Sequence, residues 1–187
     1  MSYAAVQSDS VSRVTYALGI RFRKTVAKAP PDGHTLLYYG NTLWLLPLMR
    51  KNVPYDALRD FLPITMGVVA PSVMPHVRSG RLRALAVTST HPAQQSPDLP
   101  TIAASGLPGY ESLSMTGLFV PAKTPEAVVS RLNQEIVQVL RKVEIKSRFL
   151  EFGVETVGGS PQEFTDKIRS EISKWGQLIK EAGIRDK

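Results

Sequence analysis

The 187-residue sequence contains no cysteine, which excludes disulfides and thiolate metal sites. Its richest apolar stretch, residues 43–48, is short and contains Pro47. No run approaches the roughly 20 apolar residues that a membrane-crossing helix needs. There are only three histidines, His34, His76 and His91, far apart and in no metal-ligand spacing. The G-x-S-x-G elbow of a serine nucleophile is missing. The glycine-rich "GVETVGGS" lacks the lysine of a phosphate-binding loop and reads as a plain turn before a helix. The first residues, "MSYAAVQSDSVSRVTYALGIRFRK", show no basic start, apolar block and small-residue cleavage site, so no secretory signal is expected there.

What is present is an ordinary globular mixture, 43% apolar and 21% charged, which supports a folded chain of one sizeable domain or two small lobes. Net charge is +7, from 23 basic and 16 acidic residues. Only "RFRK" (Arg21, Arg23, Lys24) and "RSGRLR" (Arg78, Arg81, Arg83) cluster, and no aromatics interleave with them, so nucleic acid is not an expected partner. Most carboxylates stand beside Lys and Arg on helical surfaces, where solvated pairs explain them. No catalytic residue, metal site or cofactor is assigned, and the chain is not read as an enzyme.

The pattern along the chain alternates strands and helices, which predicts an α/β protein with a mainly parallel sheet. Val14, Leu18, Phe22 and Val26 recur every four residues and predict a helix ending near Ala29. "PPDG" forces a turn, because proline presets φ and glycine allows positive φ. "HTLLYYG" predicts a buried strand ending at Gly40, followed by Asn41 and Thr42 as helix caps. A polar loop between a strand's C-terminal end and a helix is where open α/β sheets bind ligands. Further strands are expected over 64–69, over 82–87 (buried on both faces) and near "TGLFVPA", with a proline-rich loop before the last. Thr124 and Pro125 predict the start of a long helix with Val128, Leu132, Ile136, Val139 and Val143 on one face. A shorter helix should stop at Gly153. Ser160 and Glu163 form a capping box for the last helix, whose stripe is Phe164, Ile168, Ile172, Trp175 and Ile179, with Gly183 closing it.

Six segments, in order, carry a family resemblance: "VAKAPPDGHTLLYYGNT", "KNVPYDALRDFLPIT", "PSVMPHVRSGRLRALAVTST", "PDLPTIAASGLPGYE", "GLFVPAKTPEAVVSRLNQEI" and "GVETVGGSPQEFTDKIRSEISKWGQLIKEAGI". Together they resemble the Bug family of tripartite tricarboxylate transporter receptors, from Val26 onward. The resemblance implies a type II periplasmic-binding-protein fold of two α/β lobes, small-carboxylate ligands, hand-over to membrane permease subunits and a periplasmic location. It implies binding by backbone amides and small polar side chains instead of a salt bridge.

The sequence departs from that pattern in three places. The family's opening strand and first ligand loop have no match before Val26. "FLPITMGVV" runs directly into "APSVMPHVRSG", with the join near Val69 to Pro71, so most of the second lobe and its ligand loop are missing. Met115 and Thr116 replace the aromatic that often precedes "GL". The expected organisation is a divergent segment 1–25, a first-lobe segment 26–69, a second-lobe remnant 70–112, and a crossing strand with C-terminal helices, 113–187. The first lobe is thus largely retained and the second mostly missing. Only the second first-lobe loop carries over, matching Asn41 and Thr42, with Thr116 as a third ligand-binding candidate near the lobe crossing. The function implied is solute capture, impaired by the missing lobe. A degenerate, ligand-free interaction domain or remnant is the alternative, and a second copy can cover the exposed hinge surface as a homodimer.

Overall fold

The computed structural model describes residues 13–15, 20–69, 74–94, 96–151 and 154–184. The elements in chain order are β1 (Arg13–Thr15), α1 (Ile20–Ala27), β2 (Thr35–Gly40), α2 (Thr42–Met49), β3 (Phe61–Val69), α3 (Met74–Arg78), β4 (Met115–Pro121), α4 (Glu126–Arg141), α5 (Val143–Glu151), β5 (Val154–Gly158) and α6 (Pro161–Glu181). The sheet order is β1-β2-β4-β3-β5. The chain divides into two compact units. One comprises Met1–Met66, Thr116–Leu140 and Gly158–Lys187, and the other Gly67–Met115 and Arg141–Val157.

The first unit holds the core. β1 runs parallel to β2, but β2 and β4 are antiparallel, with Leu37 opposite Phe119, Tyr38 opposite Leu118, Tyr39 opposite Gly117 and Gly40 opposite Thr116. The mainly parallel sheet expected from the sequence therefore fails at this pair. β4 is reached only after the long 70–114 segment, so no single crossover helix fixes its direction.

Directly opposed residues share a face of the sheet. Leu37 and Phe119 point to one face, where Trp44 of α2 and Phe164 of α6 are also fully buried. Trp44 meets the Phe164 ring edge-on at 6.2 Å, and Phe119 lies 5.3 Å from Phe164. Leu36 and Val120 belong to a second cluster with Ile64 and Val129, against which Leu62, Leu118, Leu132 and Ile136 pack. The strand "TLLYYG" is thus covered on both sides, which is why it reads as an almost unbroken apolar run.

Local signals at the two ends of α6 hold. The Ser160 hydroxyl accepts from the Glu163 backbone N–H while the Glu163 carboxylate accepts from the Ser160 N–H, the reciprocal box expected from the sequence. Phe164 and Ile168 of the expected stripe are buried, Ile172, Trp175 and Ile179 are only half-buried, and Gly183 has the positive φ of a helix stop. In the "PPDG" turn Gly33 has φ +82°, and the His34 N–H donates to Asp32 Oδ1.

Other expectations are corrected. Val14 lies in β1, not in a helix, because this segment pairs with β2; Leu18 and Gly153 lie outside the described residues. On α4 the buried residue is Val129, while Val139 is exposed and Val143 belongs to α5. α4 ends at Arg141, so the stripe leaves the core after Ile136. The Thr124 hydroxyl donates to the Pro121 carbonyl within the turn that precedes α4.

The second unit is different in kind. Residues 82–87 do not form a strand: Leu82 is 49% and Leu85 72% exposed, and Val87 makes only an isolated bridge to Thr101. An apolar run becomes a strand only if another strand accepts its hydrogen bonds. α5 buries no residue, and Leu107, Tyr110, Val143, Phe149 and Val157 are also exposed.

Candidate functional site

The loop between β2 and α2 is short because Gly40 ends the strand and Asn41 already occupies the N-cap of α2. Asn41 has helical angles, φ −58° and ψ −18°, and its side chain makes no capping hydrogen bond. Its carbonyl instead accepts from the backbone N–H groups of Trp44 and Leu45, at 3.2 and 3.0 Å. Side-chain capping by Asn41, expected from the sequence, is therefore not what holds this helix end. Trp44, fully buried against Phe119 and Phe164, anchors it. The Asn41 amide is half-buried and Thr42, the first helical residue, is exposed.

Thr116 reaches the same place from β4. It is paired with Gly40 across the antiparallel ladder, so it stands one strand away from the residue that leads into Asn41. Its Oγ1 accepts a hydrogen bond from the Tyr38 hydroxyl at 3.1 Å, between residues 78 positions apart in sequence. Both residues are half-buried. The three sequence-chosen residues are thus brought to one end of the β2–β4 pair. Together they offer an amide, two hydroxyls and the open N–H groups of a helix start, all neutral hydrogen-bonding groups suited to an anion. Among the described residues no group of His, Asp and Glu is placed to hold a metal ion.

Sequence reasoning missed Tyr38. The available signal was its position two residues before Gly40, which puts it on the same face of the strand. It also missed the fate of Arg23, part of the "RFRK" cluster. Arg23 is only 3% exposed, with its guanidinium 4.3 Å from the ring centre of Tyr39 and 5.3 Å from that of Tyr55. It donates through Nη1 to the Tyr55 hydroxyl and through Nη2 to the Tyr39 hydroxyl, and its buried Nε has no partner. Burial pushes the Tyr55 phenol above its usual value of 10.0, against the opposing effect of the Arg23 hydrogen bond and charge. The Tyr55 phenol therefore stays neutral near pH 7, and both hydroxyls serve as acceptors for the buried cation.

Known proteins resemble this chain along most of its length. Residues 65–184 match the family described as the tripartite tricarboxylate transporter family receptor, TctC. The UPF0065 protein in the clcB-clcD intergenic region of Pseudomonas knackmussii is 34% identical over 136 residues, covering 68% of this chain and 80% of the relative. The UPF0065 protein in the tcbD-tcbE intergenic region of a Pseudomonas species is 27% identical over 246 positions, covering 87% of this chain and 73% of the relative. That alignment is longer than the 187-residue chain itself, so it spans positions with no counterpart here. Among solved structures, R. palustris Rpa4515 with adipate superposes with a TM-score of 0.75 at 22% identity, covering 89% of this chain and 84% of that one. The periplasmic binding protein BugD superposes with a TM-score of 0.75 at 20% identity, covering 92% and 86%. The fold is therefore the α/β fold of these binding proteins, in a shortened form, and the chain belongs to the tripartite tricarboxylate transporter receptor family, of which the Bug proteins are part.

Proposed function

We propose that this chain is a solute-binding receptor that captures a small carboxylate at the end of the β2–β4 pair, with Asn41, Thr42 and Thr116 as ligand contacts. The observation that carries this reading is the convergence of those three polar residues beside a helix N-terminus, with the Asn41 side chain not engaged in capping. Neutral donors and a helix dipole stabilise a carboxylate without the desolvation cost of burying a cation beside it. The adipate bound to Rpa4515 supports the ligand class. Membership of the transporter receptor family supports the further reading that the chain hands its solute to membrane permease subunits in the periplasm and performs no catalysis. Losing most of the second lobe removes opposing donors and leaves the site open to water, so binding is weak.

Thermal unfolding against millimolar succinate, citrate, glutamate, adipate and benzoate tests the reading. An acid at about 100 times its dissociation constant stabilises the fold by about 2.7 kcal/mol. A cooperative melt that none of these acids shifts would refute carboxylate capture.

A second reading is favoured by one observation, the exposed apolar side chains of the unit built from Gly67–Met115 and Arg141–Val157. It makes the chain a ligand-free interaction domain that pairs with a second copy through that unit. Sedimentation equilibrium distinguishes the two: a monomer at 100-fold varied concentration counts against pairing.

A further inference from the structure

The hydrogen bond between Tyr38 and Thr116 is not needed to hold the sheet, because the β2–β4 ladder already pairs these strands from Leu37 to Gly40. Its effect is on the chemistry of Thr116. A threonine hydroxyl has one hydrogen to give and two lone pairs. It can face a ligand either as donor or as acceptor, and a carboxylate is bound only in the first case. A neighbouring group that occupies the acceptor side decides which.

Tyr38 is placed to do this. Tyr38 and Gly40 lie two residues apart on β2, so they share a face with their partners Leu118 and Thr116. Gly40, directly opposite Thr116, carries no side chain to compete. The Tyr38 phenol reaches diagonally to Thr116 Oγ1 at 3.1 Å. A phenol is more acidic than an aliphatic hydroxyl, so it is the better donor of the two, and Thr116 is the acceptor. The Thr116 hydrogen is then directed away from Tyr38, and the bond it makes is strengthened by the one it receives.

We infer that Tyr38 is a positioning residue of the ligand site, which sets the Thr116 hydroxyl as a hydrogen-bond donor and so biases the site toward carboxylates. This rests on the carboxylate-capture reading above. Tyr38 need not touch the ligand.

Calorimetric titration with the tightest acid found in the thermal screen tests it, using wild type, Tyr38→Phe, Thr116→Val, Thr116→Ser and the Tyr38→Phe/Thr116→Val pair. Tyr38→Phe is expected to weaken binding about three- to tenfold, the effect of one net hydrogen bond. Its unfolding midpoint should move little. The double variant should bind no more weakly than Thr116→Val alone, because without the hydroxyl there is nothing for Tyr38 to orient. Thr116→Ser should retain the sensitivity to Tyr38→Phe. Wild-type affinity in Tyr38→Phe, or losses that multiply in the double variant, would overturn the inference while leaving carboxylate capture intact. Absence of binding by the wild type to every acid would overturn both.

Discussion

The ring of Phe164 fills the space that a side chain at Gly117 would occupy. A Cβ built at Gly117 falls among the Cε1 and Cζ atoms of that ring and 2.8 Å from the Thr65 carbonyl oxygen. Helix α6 therefore sits directly on the backbone of β4, and the aromatic cluster of Trp44, Phe119 and Phe164 closes over it.

Gly117→Ala is accordingly expected to destabilise the fold by about 1–3 kcal/mol, the usual cost of forcing extra volume into a packed core. Gly117→Ala/Phe164→Leu should lose less than the two single changes added together. Urea denaturation followed by fluorescence checks this through the midpoint at unchanged slope. Additive losses would mean that the two positions do not share the space.

The buried Arg23 leads to a different expectation. Tyr55→Phe removes the acceptor of Nη1 and leaves a cationic donor buried and unpartnered. A loss of about 1–3 kcal/mol follows. Replacing the whole group, as Arg23→Met/Tyr39→Phe/Tyr55→Phe, should restore most of that stability, because the buried cation whose donor lost its acceptor is then removed as well. Chemical denaturation of the single and triple variants decides it. A triple variant less stable than Tyr55→Phe would show that the cation itself is needed.

Ser160 and Glu163 give a pH-dependent prediction. Hydrogen bonds from the Ser160 backbone N–H and then its hydroxyl hold the Glu163 carboxyl below its ordinary value of 4.5. A depressed carboxyl stabilises the fold when ionised. That contribution is complete above the unfolded-state value near 4.5 and is lost as pH falls through the lower folded-state value. Ser160→Ala should cost about 1 kcal/mol at neutral pH, as for other N-caps. Its deficit relative to wild type should shrink as the medium is acidified from pH 6 to pH 3. A deficit independent of pH would separate the serine from the glutamate.

Asn133 of α4 is a further expected weak point. Its Nδ2 donates to the carbonyls of Ile64 on β3 and Gly159 before α6, at 2.7 and 2.8 Å. Asn133→Ala should therefore destabilise by about 1–3 kcal/mol. Asn133→Asp, which replaces the donor by an acceptor facing two carbonyls, should be worse. The order of the two midpoints is the test.

Much of this was readable in the sequence, but unevenly. Local signals succeeded where a few adjacent residues decide the outcome. Ser160 and Glu163 are three apart, and the run 35–40 needs only its own apolar content to be recognised as a strand. The family segments placed Asn41, Thr42 and Thr116 as candidates, and the register of β2 with β4 brings them to one end of the sheet. What escaped depends on distant partners. Residues 82–87 are apolar enough for a strand but have no ladder to join. Arg23 looked like one member of a basic cluster, because its acceptors Tyr39 and Tyr55 lie 16 and 32 residues away. Asn41 was correctly placed at a helix start, yet the buried Trp44, not its own amide, determines how that start is held.

The position of Phe164 has a consequence for how the chain acquires its structure. Trp44 leaves the ribosome first, Phe119 much later, and Phe164 later still. A ribosome must therefore extrude the whole stretch from Trp44 to Phe164 before the aromatic cluster can close, and the nascent β2–α2 segment waits with its apolar residues uncovered. Such long-range pairing predicts slow folding and an extended dependence on chaperones. With Trp44 and Trp175 as its two indoles, the protein carries its own clock: the Trp44 emission should reach its final value only when both β4 and α6 have docked, and a Trp175→Phe variant would let that moment be timed by stopped flow.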